Sequence, residues 1–132
     1  LRPGCVVVNT EKLNRIRGLS EKKFRLSDGR EVAAKIVELE AGVITERAME
    51  HAAERGLVFA TDPTSAWACT IGGNIAENAG GKDCVLWGPC IDNLVSWRIA
   101  MPSGPRTATR SCSIWASASR TYRSARARAM RR

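Results

Sequence analysis

A run rich in glycine and asparagine is the feature that most constrains how this chain can fold. Six of the ten residues from 72 to 81 are Gly or Asn, and the stretch Asp62-Pro63-Thr64-Ser65 precedes the run by a short gap. Gly and Asn adopt positive φ more readily than other residues, and they leave backbone N–H groups uncovered. The composition therefore predicts a loop that offers several N–H groups to an anionic or flat polar ligand, as a backbone nest. A Gly-rich surface turn without a ligand is the alternative.

The run matches neither of the two common nucleotide-binding loops. The sequence contains no Gly-x-Gly-x-x-Gly motif. A phosphate-binding P-loop ending at Gly81-Lys82 needs Gly at position 76, which is Ala76, and Ser or Thr at position 83, which is Asp83. If the run binds a ligand, it does so with a different pattern.

The formal net charge of +8 is concentrated at one end of the chain. Residues 1–92 contain 12 Lys or Arg and 13 Asp or Glu, whereas residues 93–132 contain nine Arg and no acidic residue. Residues 105–132 are almost entirely Arg, Ala, Ser and Thr and have no strand or helix periodicity, so we predict a disordered tail. The abrupt change in composition after Gly104 favours a shifted reading frame as its origin.

The eight arginines between 106 and 132 support a second class of function. Such a tail binds phosphate electrostatically, so a basic-tailed nucleic-acid-binding protein without enzymatic activity is the alternative to a ligand-binding domain. We expect no specific nucleic acid partner, because arginine-rich tails bind polyanions as easily by chance as by selection.

Several other classes are not expected. The five cysteines are an odd number without a Cys-x-x-Cys pair, which argues against a zinc ribbon or disulfide framework and favours a reducing cytoplasmic location. His51 is the only histidine, so we expect no Ser-His-Asp triad and no metal site, and we predict that it lies on a solvated helix surface. No apolar run approaches the roughly 18 residues of a membrane span. No signal peptide is recognised, and the start at Leu1 predicts an internal piece of a longer protein.

Hydrophobic periodicity predicts alternating strands and helices, and hence a mixed α/β unit. Gly42 should end a strand, and Gly56 should follow a helix. The predicted elements are a buried strand over 5–10, a helical turn over 11–16 capped by Thr10, a tight turn over 27–30, a strand over 32–40, a helix over 45–55, an extended piece over 57–60 and a strand over 93–101.

Residues 62–93 resemble the second flavin-contacting segment of one flavoprotein family. The family pattern is approximately Pro-Asp-Pro-x-Ser, a short gap, Thr-Ile-Gly-Gly-Asn-x-Ala-x-Asn-Ala-Gly-Gly, an aromatic-Gly pair and an Asp. The chain contains Asp62–Ser65, the whole run Thr70–Gly81, Trp87-Gly88 and Asp92-Asn93, with Thr61 in place of the first Pro. This family is the vanillyl-alcohol oxidase or p-cresol methylhydroxylase (PCMH) type, whose FAD-binding domain is shared by D-lactate dehydrogenases, glycolate oxidase subunits and alkyl-dihydroxyacetonephosphate synthases.

The resemblance implies an α+β fold, in which residues 1–104 form part of a two-subdomain PCMH-type FAD-binding domain and residues 105–132 form the tail. The family's glycine-rich pyrophosphate loop would lie before Leu1, and its substrate-binding cap domain has no counterpart in this chain. We therefore expect a fragment of an FAD-dependent oxidoreductase that binds FAD non-covalently.

In the intact parent, the resemblance implies hydride transfer from C2 of a D-2-hydroxy acid, such as lactate or glycolate, to flavin N5. We expect no catalytic residue in this piece and no activity from it alone. Local turn capping by Ser65 or Thr70, and a core position for Trp87, remain open alternatives to cofactor contact. The residues that the resemblance assigns to the cofactor are Asp62, Pro63, Thr64, Ser65, Thr70, Ile71, Gly72, Gly73, Asn74, Asn78, Gly80, Gly81, Trp87 and Gly88.

Overall fold

The computed structural model describes residues 3–25, 29, 31–101 and 104–109. Within them, four strands form two separate two-stranded antiparallel sheets. The short helices lie in the part of the chain between these two sheets. This mixture confirms the expected α+β class at that level. The elements in chain order are β1 (Ile16–Arg25), β2 (Glu31–Leu39), α1 (Thr45–Ala53), α2 (Ile71–Ala76), α3 (Cys84–Trp87), a 3-10 helix (Cys90–Asn93), β3 (Ser96–Met101) and β4 (Gly104–Thr109).

The first sheet is a hairpin of β1 and β2, with Phe24 opposite Val32 and Leu19 opposite Val37. The predicted strand over 32–40 is confirmed with its ends shifted by one residue. Alternation along β2 is visible at its start, where Glu31 and Ala33 are exposed while Val32 and Ala34 are not. Of the predicted tight turn over 27–30, only Gly29 lies in the described part of the chain, and its φ of 84° suits a turn.

Helix α1 begins at the predicted residue and ends two residues before the predicted end. Ala48 and Ala52 are buried one turn apart, as the apolar stripe predicts, and Gly56 with φ 69° follows the helix. The first helical residue, Thr45, has no exposed surface. One face of the helix is therefore buried from its first turn to its last.

The core connects the hairpin to both longer helices, and so fixes where the Gly/Asn run lies. Its centre is Val43, Ala48 and Ile71, all buried. The partly buried residues that pack against this centre are Ile16, Leu39, Phe59 and Ile75. Because Ile71 and Ile75 both belong to α2, the hydrophobic contacts anchor the start of the run against α1 and the base of the hairpin.

Two predictions for the first sixteen residues are wrong. Residues 5–10 form no strand, and Val6, Val7 and Val8 are 86, 70 and 77% exposed. A buried strand needs a hydrogen-bonding neighbour, and no described strand pairs with this segment. The helical turn is replaced by a turn at 11–12, in which the N–H of Leu13 donates to the carbonyl of Thr10 at 2.8 Å, before β1 begins at Ile16.

The second sheet pairs β3 with β4, with Ser96 opposite Thr109 and Met101 opposite Gly104. The strand predicted over 93–101 begins at Ser96 because the 3-10 helix occupies residues 90–93. We predicted a disordered tail from residue 105, whereas residues 104–109 form β4. Pairing with β3 makes residues 104–109 a strand despite their lack of apolar periodicity. The rest of the predicted tail, 110–132, lies outside the described residues.

Among the described residues, no helix combines the length and the apolar character needed to cross a membrane.

Candidate functional site

The first part of the Gly/Asn run is a helix and not a loop. Thr70 caps α2, because its Oγ1 accepts a hydrogen bond from the N–H of Gly73 at 3.3 Å. The turn-capping alternative for Thr70 is therefore what the structure shows. Among the described residues of the run, positive φ occurs at one position only, Asn78 with φ 50°. The prediction that Gly in this run serves to reach positive φ is wrong.

The backbone N–H groups of the run are mostly engaged by the protein itself. That of Gly72 donates to the carbonyl of Ala41 at 2.8 Å, and that of Asn74 donates to the carbonyl of Thr70 at 2.9 Å. The N–H groups of residues 77, 78 and 79 also donate to carbonyls within the run. A nest over the whole run is therefore wrong. The N–H groups of Gly80 and Gly81 are the exception, since neither donates to an acceptor within the described part of the chain.

Packing favours glycine at Gly72 and requires it at Gly81. A Cβ atom at Gly72 would lie 3.0 Å from both the Cβ and the carbonyl oxygen of Ala41. At Gly81 a Cβ atom would collide with the backbone carbonyl of Asp62. Close approach of two backbones explains glycine at both positions without any ligand.

Gly73 and Gly80 are different, because no contact with the described residues requires glycine at either position. A Cβ atom at Gly73 would meet only Oγ1 of Thr70, at 3.4 Å, and one at Gly80 would be at ordinary contact distance, 3.5 Å, from Sγ of Cys84. Neither residue has positive φ. Gly73 also lies in a helix, where glycine is less favourable than alanine by up to about 1 kcal/mol. A ligand that passes close to the backbone is a physical reason for glycine at both positions.

Asp62 connects the Asp-Pro stretch, residues 62–65, to the end of the Gly/Asn run. Its side chain is only 8% exposed, and its Oδ2 lies 3.1 Å from Nζ of Lys82. The ion pair and the backbone contact of Asp62 with Gly81 bring the end of the run against the Asp-Pro stretch. The structure therefore brings together two segments that the sequence separates by some twenty residues.

The residues after Pro63 form an exposed turn. The N–H of Ala66 donates to the carbonyl of Pro63 at 3.0 Å, and the carbonyl of Ser65 accepts from the N–H groups of Ala68 and Cys69, both at 2.9 Å. Thr64 and Ser65 are exposed, so their hydroxyl groups are accessible to a ligand.

Two of the predicted contact residues, Ile71 and Asn74, face the protein interior. Ile71 belongs to the core, and Asn74 is 3% exposed. Nδ2 of Asn74 donates to Oγ1 of Thr45 at 2.7 Å, and this hydroxyl donates to the carbonyl of Cys69 at 3.1 Å. The network connects α2, α1 and the residue before Thr70, so Asn74 stabilises the framework of the site.

Trp87 and Gly88 end α3 in a tight turn. Gly88 has φ 75°, and the side chain of Asp92 occupies the position that a Cβ atom would take. Nε1 of Trp87 is buried and has no hydrogen-bond partner in the described structure. The next buried polar residue, Asn93, is 5% exposed and was not predicted as a site residue, although it closes the matched motif.

His51 does not lie on a solvated surface as predicted. Its Nε2 is buried without a partner, and the residue borders a cavity of about 10 Å³ together with Leu19, Val37 and Lys35 from the hairpin.

An open groove of about 580 Å³ runs beside the Asp-Pro stretch. Met49 and Ala53 of α1 line the groove, and so does Trp67, which is 72% exposed. Asp62, Pro63 and Thr64 also line it. The groove therefore gives this part of the site an accessible neighbourhood in which apolar side chains are mixed with charged ones, among them Glu50, Lys82 and Asp83.

Cys90 lies behind the run, where its N–H donates to the carbonyl of Ala79 at 2.8 Å. Burial raises the pKa of the Cys90 thiol, and a hydrogen bond with Thr61 lowers it by less. The thiol is therefore held in its neutral, unreactive form at neutral pH.

The sequence matches the FAD binding domain family over residues 2–109. The chain belongs to this family. The match includes the whole Asp-Pro and Gly/Asn motif and extends to the end of β4, five residues beyond the predicted boundary. The predicted relationship to FAD-linked oxidases is thereby confirmed, and FAD is the cofactor to be tested against the site.

Curated relatives agree with this family. The chain is 30% identical to a D-lactate dehydrogenase of Anaerostipes hadrus over 101 residues, which are 76% of this chain and 19% of the relative. It is 38% identical to the glycolate oxidase subunit GlcD of Escherichia coli strain K12 over 66 residues, 50% of this chain and 13% of the relative. A D-2-hydroxyglutarate dehydrogenase of Xanthomonas citri is 35% identical over 66 residues, 50% of this chain and 14% of the relative. The chain thus spans about a fifth or less of these relatives, and no solved structure is significantly similar to it.

Proposed function

We propose that this chain is the part of an FAD-dependent 2-hydroxy-acid dehydrogenase that binds FAD non-covalently. The predicted contact residues that we keep in this role are Asp62, Pro63, Thr64, Ser65, Gly73, Gly80, Gly81, Trp87 and Gly88, whereas Ile71 and Asn74 face the interior. The observation that carries the proposal is the match to the FAD binding domain over residues 2–109. The substrate class is supported by the names of the relatives, since D-lactate, glycolate and D-2-hydroxyglutarate are all 2-hydroxy acids.

The same family membership supports two further parts of the proposal. We propose that the intact protein has the two-subdomain FAD-binding unit of the PCMH type, and that this chain supplies part of it. We also propose a reducing, cytoplasmic location, which the five cysteines without a Cys-x-x-Cys pair support.

The residues present fit a ligand with a flat ring system and a pyrophosphate. Such a ligand needs hydrogen-bond donors for its oxygen atoms and small residues where it approaches the backbone. The N–H groups of Gly80 and Gly81 and the accessible hydroxyl groups of Thr64 and Ser65 are donors of this kind. The carboxylate of Asp62 does not oppose an anionic ligand, because Lys82 compensates its charge.

The chain's own residues bind and orient the cofactor in this proposal. When bound, FAD would supply the redox chemistry, the two-electron oxidation of the hydroxy acid to the 2-oxo acid, with the hydride from C2 passing to the flavin and the hydroxyl proton to solvent or to a base outside these residues. Gly73 and Gly80 leave space for close approach, and Gly81 fixes the run against the Asp-Pro stretch. We assign no acid, base or metal ligand to these residues, so the chain alone is not proposed to be active.

The variant Gly73→Ala separates the needs of the fold from the needs of a ligand. Since a methyl group fits at this helical position, we expect the melting temperature to rise by a few degrees, as the loss of a helical glycine predicts. The same methyl group would occupy the surface that FAD approaches, so the dissociation constant for FAD should increase about tenfold or more, corresponding to roughly 1.4 kcal/mol. Both quantities are measurable by thermal unfolding and by an NMR titration of the labelled chain.

Ala33→Ser, at an exposed position of β2, is the control for a small change away from the site. This variant should leave both the melting temperature and the dissociation constant for FAD unchanged. A Gly73→Ala variant that is more stable and binds FAD as the unmodified chain does would contradict close approach at this residue.

A further inference from the structure

Asn78 is the only non-glycine residue with positive φ in the described part of the chain. Its side chain is exposed but has a definite partner, because Oδ1 accepts a hydrogen bond from the N–H of Ile91 at 2.9 Å. The carbonyl of the next residue, Ala79, accepts from the N–H of Cys90 at 2.8 Å. Two adjacent residues that follow α2 therefore hold two adjacent N–H groups at the start of the 3-10 helix.

Asn93 holds the same segment from its other end. It is 5% exposed, and its Nδ2 donates to the carbonyls of Trp87 at 2.9 Å and Pro89 at 3.1 Å. A primary amide has two N–H bonds, so these two contacts use its donor capacity. The carbonyl of Gly88 lies at the limit of 3.5 Å, and Oδ1 of Asn93 is buried without a partner. We refer to Asn78 and Asn93 together as the asparagine clasp.

The clasp sets the turn that carries Trp87 and Gly88. A side chain at Gly88 would displace the side chain of Asp92, and the φ of 75° at Gly88 also favours glycine, so this turn depends on glycine. On the other side of this turn, α3 places Cys84 beside Gly80. The whole segment from 84 to 93 is thus fixed relative to Gly80 and Gly81, whose N–H groups are available to a ligand.

We propose that Asn78 is a positioning residue, which acts on the cofactor site through the N–H of Ile91 and does not itself contact the cofactor. This inference rests on the proposed FAD site and corrects the role that the resemblance implied for Asn78. The oxygen of its carboxamide is used inside the protein, and its backbone geometry suits the end of α2. Direct binding would instead depend on the Nδ2 donor of Asn78.

The two roles predict opposite results for Asn78→Asp. The carboxylate keeps an oxygen acceptor for Ile91 and tolerates the left-handed region, whereas it removes the amide donor and adds a negative charge. Asn78→Gly keeps the backbone geometry but removes the acceptor, and Asn78→Ala removes both. Asn14→Asp, at an exposed position before β1, is the matched control for the added charge.

The first measurement is hydrogen exchange at the amide of Ile91 in the full chain, which needs no cofactor. We expect the exchange rate in Asn78→Asp to stay within about threefold of the unmodified chain, and to rise at least about tenfold in Asn78→Gly and Asn78→Ala. An unchanged rate in Asn78→Gly would overturn the clasp.

The second measurement follows the amide signals of Gly80 and Gly81 by NMR as FAD is added. A positioning role predicts that Asn78→Asp and Asn14→Asp retain the response to FAD, while Asn78→Gly loses at least about tenfold in affinity. Loss of the response in Asn78→Asp, with Ile91 still protected, would show direct contact and overturn the proposal. If the unmodified chain shows no response to millimolar FAD, the proposed FAD site fails, and the clasp is decided by the exchange rates alone.

Discussion

Gly81 lies so close to the carbonyl of Asp62 that a single methyl group would force the two segments apart. We expect Gly81→Ala to lower the free energy of unfolding by about 1–3 kcal/mol, as overpacking of a close contact does. Gly80→Ala is the control, since its methyl group would only touch Cys84, and it should change stability by less than about 0.5 kcal/mol. Urea unfolding of both variants checks the difference. Equal stability of the two would show that the backbone contact at Gly81 is looser than the structure indicates.

His51 offers a test of the opposite sign. Its Nε2 is buried without a partner against the hairpin, so replacement by an apolar side chain removes an unsatisfied polar group. We expect His51→Leu to raise the free energy of unfolding by about 1 kcal/mol at neutral pH. We expect FAD binding to stay unchanged, because several of the described neighbours of His51 at its cavity, such as Leu19 and Val37, belong to the hairpin. A clear loss of stability in urea unfolding would mean that Nε2 has a water partner in solution.

Single residues show why the site was only partly predictable. The pattern of Gly and Asn led to the family that the comparison confirms, but not to the structural reason for each residue. Gly72 is explained by its close contact with Ala41, about thirty residues earlier in the chain, and Gly81 by its contact with the backbone of Asp62, about twenty residues earlier. Asn74 is explained by its hydrogen bond to Thr45, which is also about thirty residues earlier in the chain. Such contacts between distant segments leave no local signature in a sequence, so the expectation of positive φ was wrong.

At the level of elements, the buried Thr45 connects two helices and the site. Its hydroxyl accepts from Asn74 and donates to the carbonyl of Cys69. Thr45→Val keeps the shape but leaves the buried Nδ2 of Asn74 without its partner, whereas the carbonyl of Cys69 still accepts from the backbone N–H of residue 45. We therefore expect a loss of about 2 kcal/mol in the free energy of unfolding, mainly from the unpaired amide. Thr45→Ser keeps the hydroxyl and loses one methyl group, at about 0.8 kcal/mol. Both variants are compared by urea unfolding. If Thr45→Val lowers the free energy of unfolding no more than Thr45→Ser does, the hydrogen-bond network contributes little to stability.

Elements with strong local signals were predicted well. The strand near 32–40 and the helix from Thr45 follow from alternation, an apolar stripe and glycine at the ends. The segment 5–10 failed because its valines need a partner strand that the described residues do not supply. Strand β4 was missed for the complementary reason, since pairing with β3 orders a polar sequence that has no apolar periodicity of its own. Both errors come from pairing between strands, which single-segment patterns do not contain.

At the scale of the whole molecule, the chain matches an FAD binding domain but spans no more than about a fifth of the relatives described above. A site that lacks part of its surroundings loses buried contact area and preorganised donors. We therefore propose that FAD binds this chain more weakly than micromolar. From its eight arginines we also expect the segment 106–132 to attract the pyrophosphate nonspecifically, in a way that decreases with salt.

The most direct test is an NMR titration of the full labelled chain with FAD at two salt concentrations. The FAD-site proposal predicts saturable shifts at the amides of Gly73, Gly80 and Gly81, with a dissociation constant above about one micromolar that depends only moderately on salt. Shifts confined to residues 106–132 that disappear at high salt, with none in the Gly/Asn run, would contradict it.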